Sequence, residues 1–248
     1  MHKLIVFDLD NTLTKSKLPV DIEMSELFNR LIEIKKVAVI SGGSFKQLEK
    51  ELLFSLKLGP NLSNLHIFPT DGTAYFVWDN NDGRWQKIYQ ESLTEKDKVK
   101  IRDAFSQVLK EVDFDFSPIV GELIEDKDSA MTFSGLGQDA ELENKQAWDP
   151  NEEKRKQIKS LLDKKLNGYE IRIAGTTSID ITLKGLDKAY GIQKMIEYIK
   201  VSIDEILFVG DSLFPGGNDN PVISTGVKTI SVKNPEETKR IIKDIIHL

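Results

Sequence analysis

Asp8 and Asp10 stand two residues apart, directly after the apolar run Leu4-Ile5-Val6-Phe7. Asp211 closes a second such run, Ile206-Leu207-Phe208-Val209, with Gly210 between. Carboxylates gathered in one place repel one another unless a cation neutralises them. Mg²⁺ is suited to neutralising them, because it prefers oxygen, keeps several waters and is often held by one or two carboxylates plus a substrate phosphate. A carboxylate can also attack phosphorus and form an acyl phosphate, which divides one hard displacement into two easier ones. A second carboxylic acid two residues on can protonate the leaving oxygen and then activate water. The rest of phosphoryl transfer is positioning and charge neutralisation. Ser41, the backbone N–H groups around Gly42 and a lysine suit that part of the work.

These residues can meet only if their strands share a sheet. Leu4–Phe7, Val37–Ile40, Leu65–Phe68 and Ile206–Val209 are short, continuously apolar and rich in β-formers, the pattern of strands buried on both faces. Helical periodicity over 23–35, 188–199 and 235–246 alternates with them, so a parallel sheet covered by helices is expected. In such a sheet ligands bind at the carboxyl ends of the strands. Asp8, Ser41 and Asp211 all stand there. Between 83 and 185 the pattern changes. Asn80-Asn81-Asp82-Gly83 is a turn signal. Helices over 96–112 and 151–166 and strands near 131–133, 170–174 and 179–183 follow, which reads as an α+β insert. The expected domains are a core of residues 1–82 and 186–248, split by an insert of residues 83–185.

The composition narrows the function. The chain has 248 residues, 40% hydrophobic and 30% charged, enough for real cores and a solvated surface. There is no cysteine, which excludes disulfides, thiolate nucleophiles and cysteine-bound metals. Three histidines, two of them at the chain ends, argue against a zinc site or a triad. A net charge of −6 argues against a nucleic-acid partner. No run of about 18 apolar residues suggests a membrane span and no signal peptide is evident, so a cytoplasmic enzyme is expected.

Asp8-Leu9-Asp10-Asn11-Thr12 resembles DxDxT, the first motif of the haloacid-dehalogenase (HAD) superfamily. Ser41 resembles its second motif and Lys188 its third. Gly210-Asp211 with Gly217-Asn218-Asp219 resembles the fourth, and all four run in the family's order. Asn11 stands where the first motif usually has glycine, and Asn also accepts turn geometry. The resemblance implies a Rossmann-like parallel core with an inserted α+β cap of the C2 type. It implies that Asp8 is the nucleophile and Asp10 the acid/base. The Asp8 side chain, the Asp10 carbonyl and the Asp211 side chain would hold Mg²⁺, while Ser41 and Lys188 hold the phosphoryl group. Within the superfamily the chain is most similar to eukaryotic-type phosphomannomutases. Gly42-Gly43-Ser44-Phe45 resembles their GGSDF, and Phe68-Pro69-Thr70-Asp71-Gly72 their FPENG. Ser178-Ile179-Asp180-Ile181 before Gly185-Leu186-Asp187-Lys188 resembles SFDV…GWDK, and Pro215–Asp219 matches PGGND. The likeness makes Gly42, Gly43, Ser44, Ser178 and Asp180 substrate contacts.

The mutases grip the non-reacting phosphate with cap arginines. The arginines between 83 and 185 are Arg84, Arg102, Arg155 and Arg172. Val120, Lys127 and Gln138 stand near where the mutase arginines would align. Lysine does not reproduce a bidentate arginine. The expected activity is therefore a Mg²⁺-dependent phosphatase acting on a small phosphorylated metabolite, with a sugar phosphate as the expected substrate. A phosphomannomutase-type mutase is the alternative, and a binding module without turnover a third class. The expected partners are a small metabolite, with no nucleic acid and no membrane. The chain is expected to be a monomer or a cap-mediated dimer.

Overall fold

The computed structural model describes residues 2–15 and 17–247. In chain order the first half contains β1 (Leu4–Phe7), α1 (Ile22–Ile34), β2 (Lys36–Ile40), α2 (Phe45–Glu51), β3 (Leu65–Phe68), β4 (Ala74–Asp79) and β5 (Arg84–Gln90). Then come α3 (Glu95–Glu111), β6 (Ile124–Asp126), β7 (Ala130–Ser134), α4 (Leu142–Trp148), α5 (Glu153–Lys165), β8 (Tyr169–Ala174) and β9 (Ser178–Leu183). The chain ends through α6 (Lys188–Ile199), β10 (Ile206–Gly210), α7 (Asn220–Ile223), β11 (Lys228–Ser231) and α8 (Pro235–His247).

Two compact units result, Met1–Gln90 with Leu186–Leu248, and Glu91–Gly185. The first holds a seven-stranded sheet in the order β11-β10-β1-β2-β3-β4-β5. Its strands are parallel from β11 to β3, and β4 and β5 are antiparallel. Side chains alternate between the faces. Ile5, Phe7, Val37, Val39, Leu207 and Val209 pack with Phe28 and Leu31 of α1 and Ile242 of α8. Leu4, Val6, Ala38, Ile40 and Phe208 pack with Ile192 and Met195 of α6. Burial on both faces is why these strands read as unbroken apolar runs.

The second unit is a four-stranded antiparallel sheet, β6-β7-β9-β8. Met131, Phe133, Ile171, Ile179 and Ile181 pack on Ile101, Phe105 and Val108 of α3 and Ile158 and Leu162 of α5. Thr94 and Asp97 form a reciprocal capping box at the start of α3. The expected α/β class with a separate α+β insert holds. The expected boundary at 82/83 does not, because it cuts the β4–β5 hairpin. That hairpin extends the core sheet, with Phe76, Trp78 and Trp85 packed against the core cluster and Phe45 stacked on Phe76 at 4.0 Å. Arg84 therefore belongs to the core sheet and not to the insert. Among the described residues, no helix is long and apolar enough to cross a membrane.

Candidate active site

Three strand ends bring the acids and Ser41 to one edge of the core sheet. Asp8 is the first residue past β1, and its N–H donates to the carbonyl of Val209 at 2.9 Å, continuing the ladder to β10. Asp211 is the first residue past β10 and Ser41 the first past β2. The strands are parallel and in register, so all three lie at the carboxyl edge. Lys188 arrives from elsewhere, as the first residue of α6. Asp187 caps that helix by accepting from the N–H groups of Ala189 and Tyr190.

Lys188 is fully buried, and its ammonium donates to Asp8 Oδ1 at 2.5 Å and to Asp219 Oδ1 at 2.6 Å. The other Asp219 oxygen accepts from the Ser212 N–H at 3.0 Å. That carboxylate lies against Gly210, where a Cβ would come within 2.4 Å of Asp219 Oδ2. Glycine at this strand end is thus a condition of the cluster. Asp219 is outside the expected metal ligands, yet the structure joins it to Asp8 and Asp211: one carboxylate oxygen from each lies within 4.8 Å of the others. The one acid of the PGGND stretch is its signal in the sequence.

The cluster is short of positive charge. Burial pushes the Asp8 carboxyl up to about 8, and repulsion from Asp219 and Asp211 adds to it, while the Lys188 ammonium opposes both. Asp211 is raised too, first by burial and then by Asp219. Burial works against the charge on Lys188, but the fields of Asp219 and Asp8 outweigh it and hold the ammonium protonated. Three carboxylates share one cation, and every donor is a hard oxygen. A hard divalent cation fits such a set on both counts.

The remaining residues surround this cluster unevenly. Asp10 is partly exposed, and its Oδ1 accepts from the Lys17 N–H at 3.0 Å. Asn11 has a φ of 57°, the left-handed geometry that Asn tolerates. Ser41 Oγ is buried and accepts from the Gly43 N–H at 3.0 Å. Ser44 caps α2 through the Gln47 N–H at 3.3 Å, which gives its hydroxyl a structural role. Glu51, at the far end of α2, is invisible in the sequence because it looks like an ordinary polar helix position. It is only 2% exposed, and burial together with the charge of Asp10 pushes its carboxyl up to about 7.

Ser178 and Asp180 lie in the other unit, on β9. They share the face opposite Ile179 and Ile181, which are buried against the helices. Asp180 Oδ1 accepts from Thr132 Oγ1 at 2.5 Å and lies 4.0 Å from Lys127 Nζ. Arg172 stands beside Asp180 in register on β8. Arg155 is locked in place: its Nε donates to Asp149 at 2.8 Å, and its Nη1 to the carbonyls of Gly175 and Ala174. Arg102 lies 3.9 Å from Asp126.

Residues 24–248 match the family model described as eukaryotic phosphomannomutase. Phosphomannomutase 2 of Dictyostelium discoideum is 26% identical over 253 residues, covering 98% of this chain and 96% of that protein. The phosphomannomutase of Drosophila melanogaster is 28% identical over 254 residues, covering 99% and 96%. Among solved structures, an N-terminally truncated IMP-bound IMP-nucleotidase of Plasmodium falciparum aligns with a TM-score of 0.70 at 18% identity, over 100% of this chain and 68% of that one. A trehalose-6-phosphate phosphatase related protein aligns with a TM-score of 0.56 at 16% identity, over 98% and 97%. The two structural likenesses speak to the fold, and they share the core-and-insert architecture described above.

Proposed function

The chain belongs to the eukaryotic phosphomannomutase family, and on that footing we propose that it is a Mg²⁺-dependent phosphomutase of sugar phosphates that works through Asp8. One observation carries the chemistry: the buried Asp8 carboxylate is hydrogen-bonded to Lys188 at the sheet's carboxyl edge, inside a set of three acids that shares this one cation. Asp8, Asp211 and the Asp10 carbonyl would hold the ion, with Asp219 bracing Lys188. The ion would offset negative charge on the carboxylates and on the phosphoryl oxygens. Asp8 attacks phosphorus, the ester P–O bond breaks, and Asp10 gives its proton to the leaving oxygen. Ser41 Oγ, the N–H groups near Gly42 and the Lys188 ammonium hold the transferring group. In the second half Asp10 takes a proton from the attacking hydroxyl, and the phosphoryl group leaves Asp8 for a different oxygen of the sugar. On this reading Ser178 and Asp180 contact the sugar, and the setting is cytoplasmic.

The near full-length likeness to proteins named phosphomannomutases supports transfer to sugar over transfer to water. A phosphatase is the second reading, and the cations of the inserted unit favour it. Arg155 is consumed by Asp149 and two carbonyls, Arg102 faces Asp126, and Lys127 lies between Glu125 and Asp180. A mutase must hold a second phosphate, and arginines already paired serve that poorly. The test is a hexose 1-phosphate incubated with Mg²⁺, with and without the hexose bisphosphate, and followed by ³¹P NMR. Appearance of the 6-phosphate, stimulated by the bisphosphate, is the expected result. Inorganic phosphate alone would move the assignment to the phosphatase, and no change in either signal would refute both.

A further inference from the structure

A fourth carboxylate reaches the phosphoryl side of the core site. Thr70 and Asp71 both have left-handed backbone, with φ of 47° and 56°, and Gly72 follows at 86°. Such conformations are unfavourable outside glycine and persist where the surroundings dictate them. Here they do. The Asp71 N–H donates to the Ser41 carbonyl and the Thr70 N–H to the Gly43 carbonyl, both at 2.9 Å. Gly72 packs on the first turns of α6, where a Cβ would come within 2.4 Å of the Gly191 Cα. The loop is therefore wedged between the Ser41–Gly43 segment and the head of the helix that begins at Lys188.

This wedge aims Asp71 at the groups assigned to the phosphoryl oxygens. Its two carboxylate oxygens lie 3.7 and 4.0 Å from where a Cβ on Gly42 would be. Lys188 feels its charge as well, after those of Asp219 and Asp8. The other three acids are accounted for, since Asp8 attacks, Asp211 binds the ion and Asp219 braces Lys188. An acid beside Ser41 and Gly42 opposes the anion those groups would hold. Four carboxylates against one ammonium and one divalent cation leave the site net negative even when loaded.

We propose that Asp71 sets the affinity of the site for phosphate dianions, its negative charge weakening ground-state binding so that anionic substrate and product exchange readily. The inference rests on the reading that Ser41, Gly42 and Lys188 hold the phosphoryl group. Binding the ground state less tightly than the transition state is what a catalyst needs, so a charge that repels a resting dianion is consistent with turnover. Asp71→Asn removes the charge, keeps the size and tolerates left-handed backbone.

The experiment titrates inorganic phosphate into the Mg²⁺-loaded wild type and the Asp71→Asn variant by calorimetry. The Kd should fall by about tenfold or more in the variant, as removal of one nearby charge predicts in a partly buried site. Asp71→Gly, which also suits this backbone, covers the case in which the Asn variant fails to fold. A change of less than twofold, or weaker binding, would overturn the proposal; weaker binding would mean that Asp71 supports the ligand. A wild type that binds no phosphate with Mg²⁺ present would instead overturn the phosphoryl-site reading, and this inference with it.

Discussion

Around Lys188 in the core, one ammonium serves Asp8 and Asp219 at once, and Asp211 stands beside them with no cation of its own among the described residues. Around Arg155 in the inserted unit, one guanidinium meets one carboxylate, Asp149, and its remaining N–H groups find backbone carbonyls. Both sets are buried, apart from the half-buried Asp211. In the second, charge and hydrogen bonds close on themselves, as a structural ion pair requires. In the first they do not close: burial pushes Asp8 up to about 8, and repulsion from Asp219 and Asp211 adds to it while Lys188 opposes it. Buried charge that is balanced holds a fold together; buried charge left unbalanced waits for a ligand.

The largest expected effect tests the unbalanced side. Asp8→Asn should lower turnover by at least roughly a thousandfold and abolish the phosphoenzyme, because an amide cannot supply the attacking oxygen. Asp10→Asn should lower turnover by about 10²–10⁴-fold while leaving slow phosphorylation of Asp8 detectable. Peptide mapping by mass spectrometry after a chemical quench reads both. A phosphoryl group found on Asp10, or turnover surviving in Asp8→Asn, would reverse the roles.

Stability should separate the two regions in the opposite sense. Arg155→Ala leaves Asp149 buried without its partner and should cost about 3–5 kcal/mol. Asp8→Asn, measured with chelator present, removes a repelled carboxylate and should leave stability unchanged or raise it by about 1 kcal/mol. Urea unfolding of both variants near neutral pH checks the contrast. Equal losses would mean that the core cluster is a structural ion pair after all.

Some of this arrangement is legible in the amino-acid order and some is not. Asp8 and Asp211 are legible because each ends an apolar run, and parallel strands bring such ends together. Lys188 is legible by its place after Gly185-Leu186-Asp187, at a helix start. Asp71 is not, because its importance depends on a left-handed turn and on Gly42 and Gly191, which approach it through long-range packing. The domain boundary expected at 82/83 fails for a similar reason: Asn80-Asn81-Asp82-Gly83 marks a hairpin but not the sheet that the hairpin joins. Trp78 and Trp85 pack against the core cluster and so tie that hairpin to the core sheet. The short helix α4 and strand β6 are not legible because neither is long enough to show a period.

The smallest expected effect extends the contrast to a buried group that carries no charge. His66 on β3 is buried, with Nδ1 at 2.8 Å from the Tyr75 hydroxyl and Nε2 without a hydrogen-bond partner. Burial, aided slightly by the charge of Lys36, pulls its pKa down from 6.5 to about 4. The sign follows from where the proton binds first. Below about pH 6.5 the unfolded chain protonates its histidine while the folded protein does not, so stability falls as the pH drops. The loss ends near pH 4, where the folded form also takes the proton, and it should total no more than about 3 kcal/mol. Other acids titrate in the same window, so the informative quantity is a difference. His66→Gln can still hydrogen-bond Tyr75 but carries no titrating group. Urea unfolding of both proteins above and below this window should show the wild type losing more stability than the variant on acidification. Equal losses would mean that His66 protonates in the folded core without penalty, and that the core tolerates an unbalanced charge away from the acidic cluster.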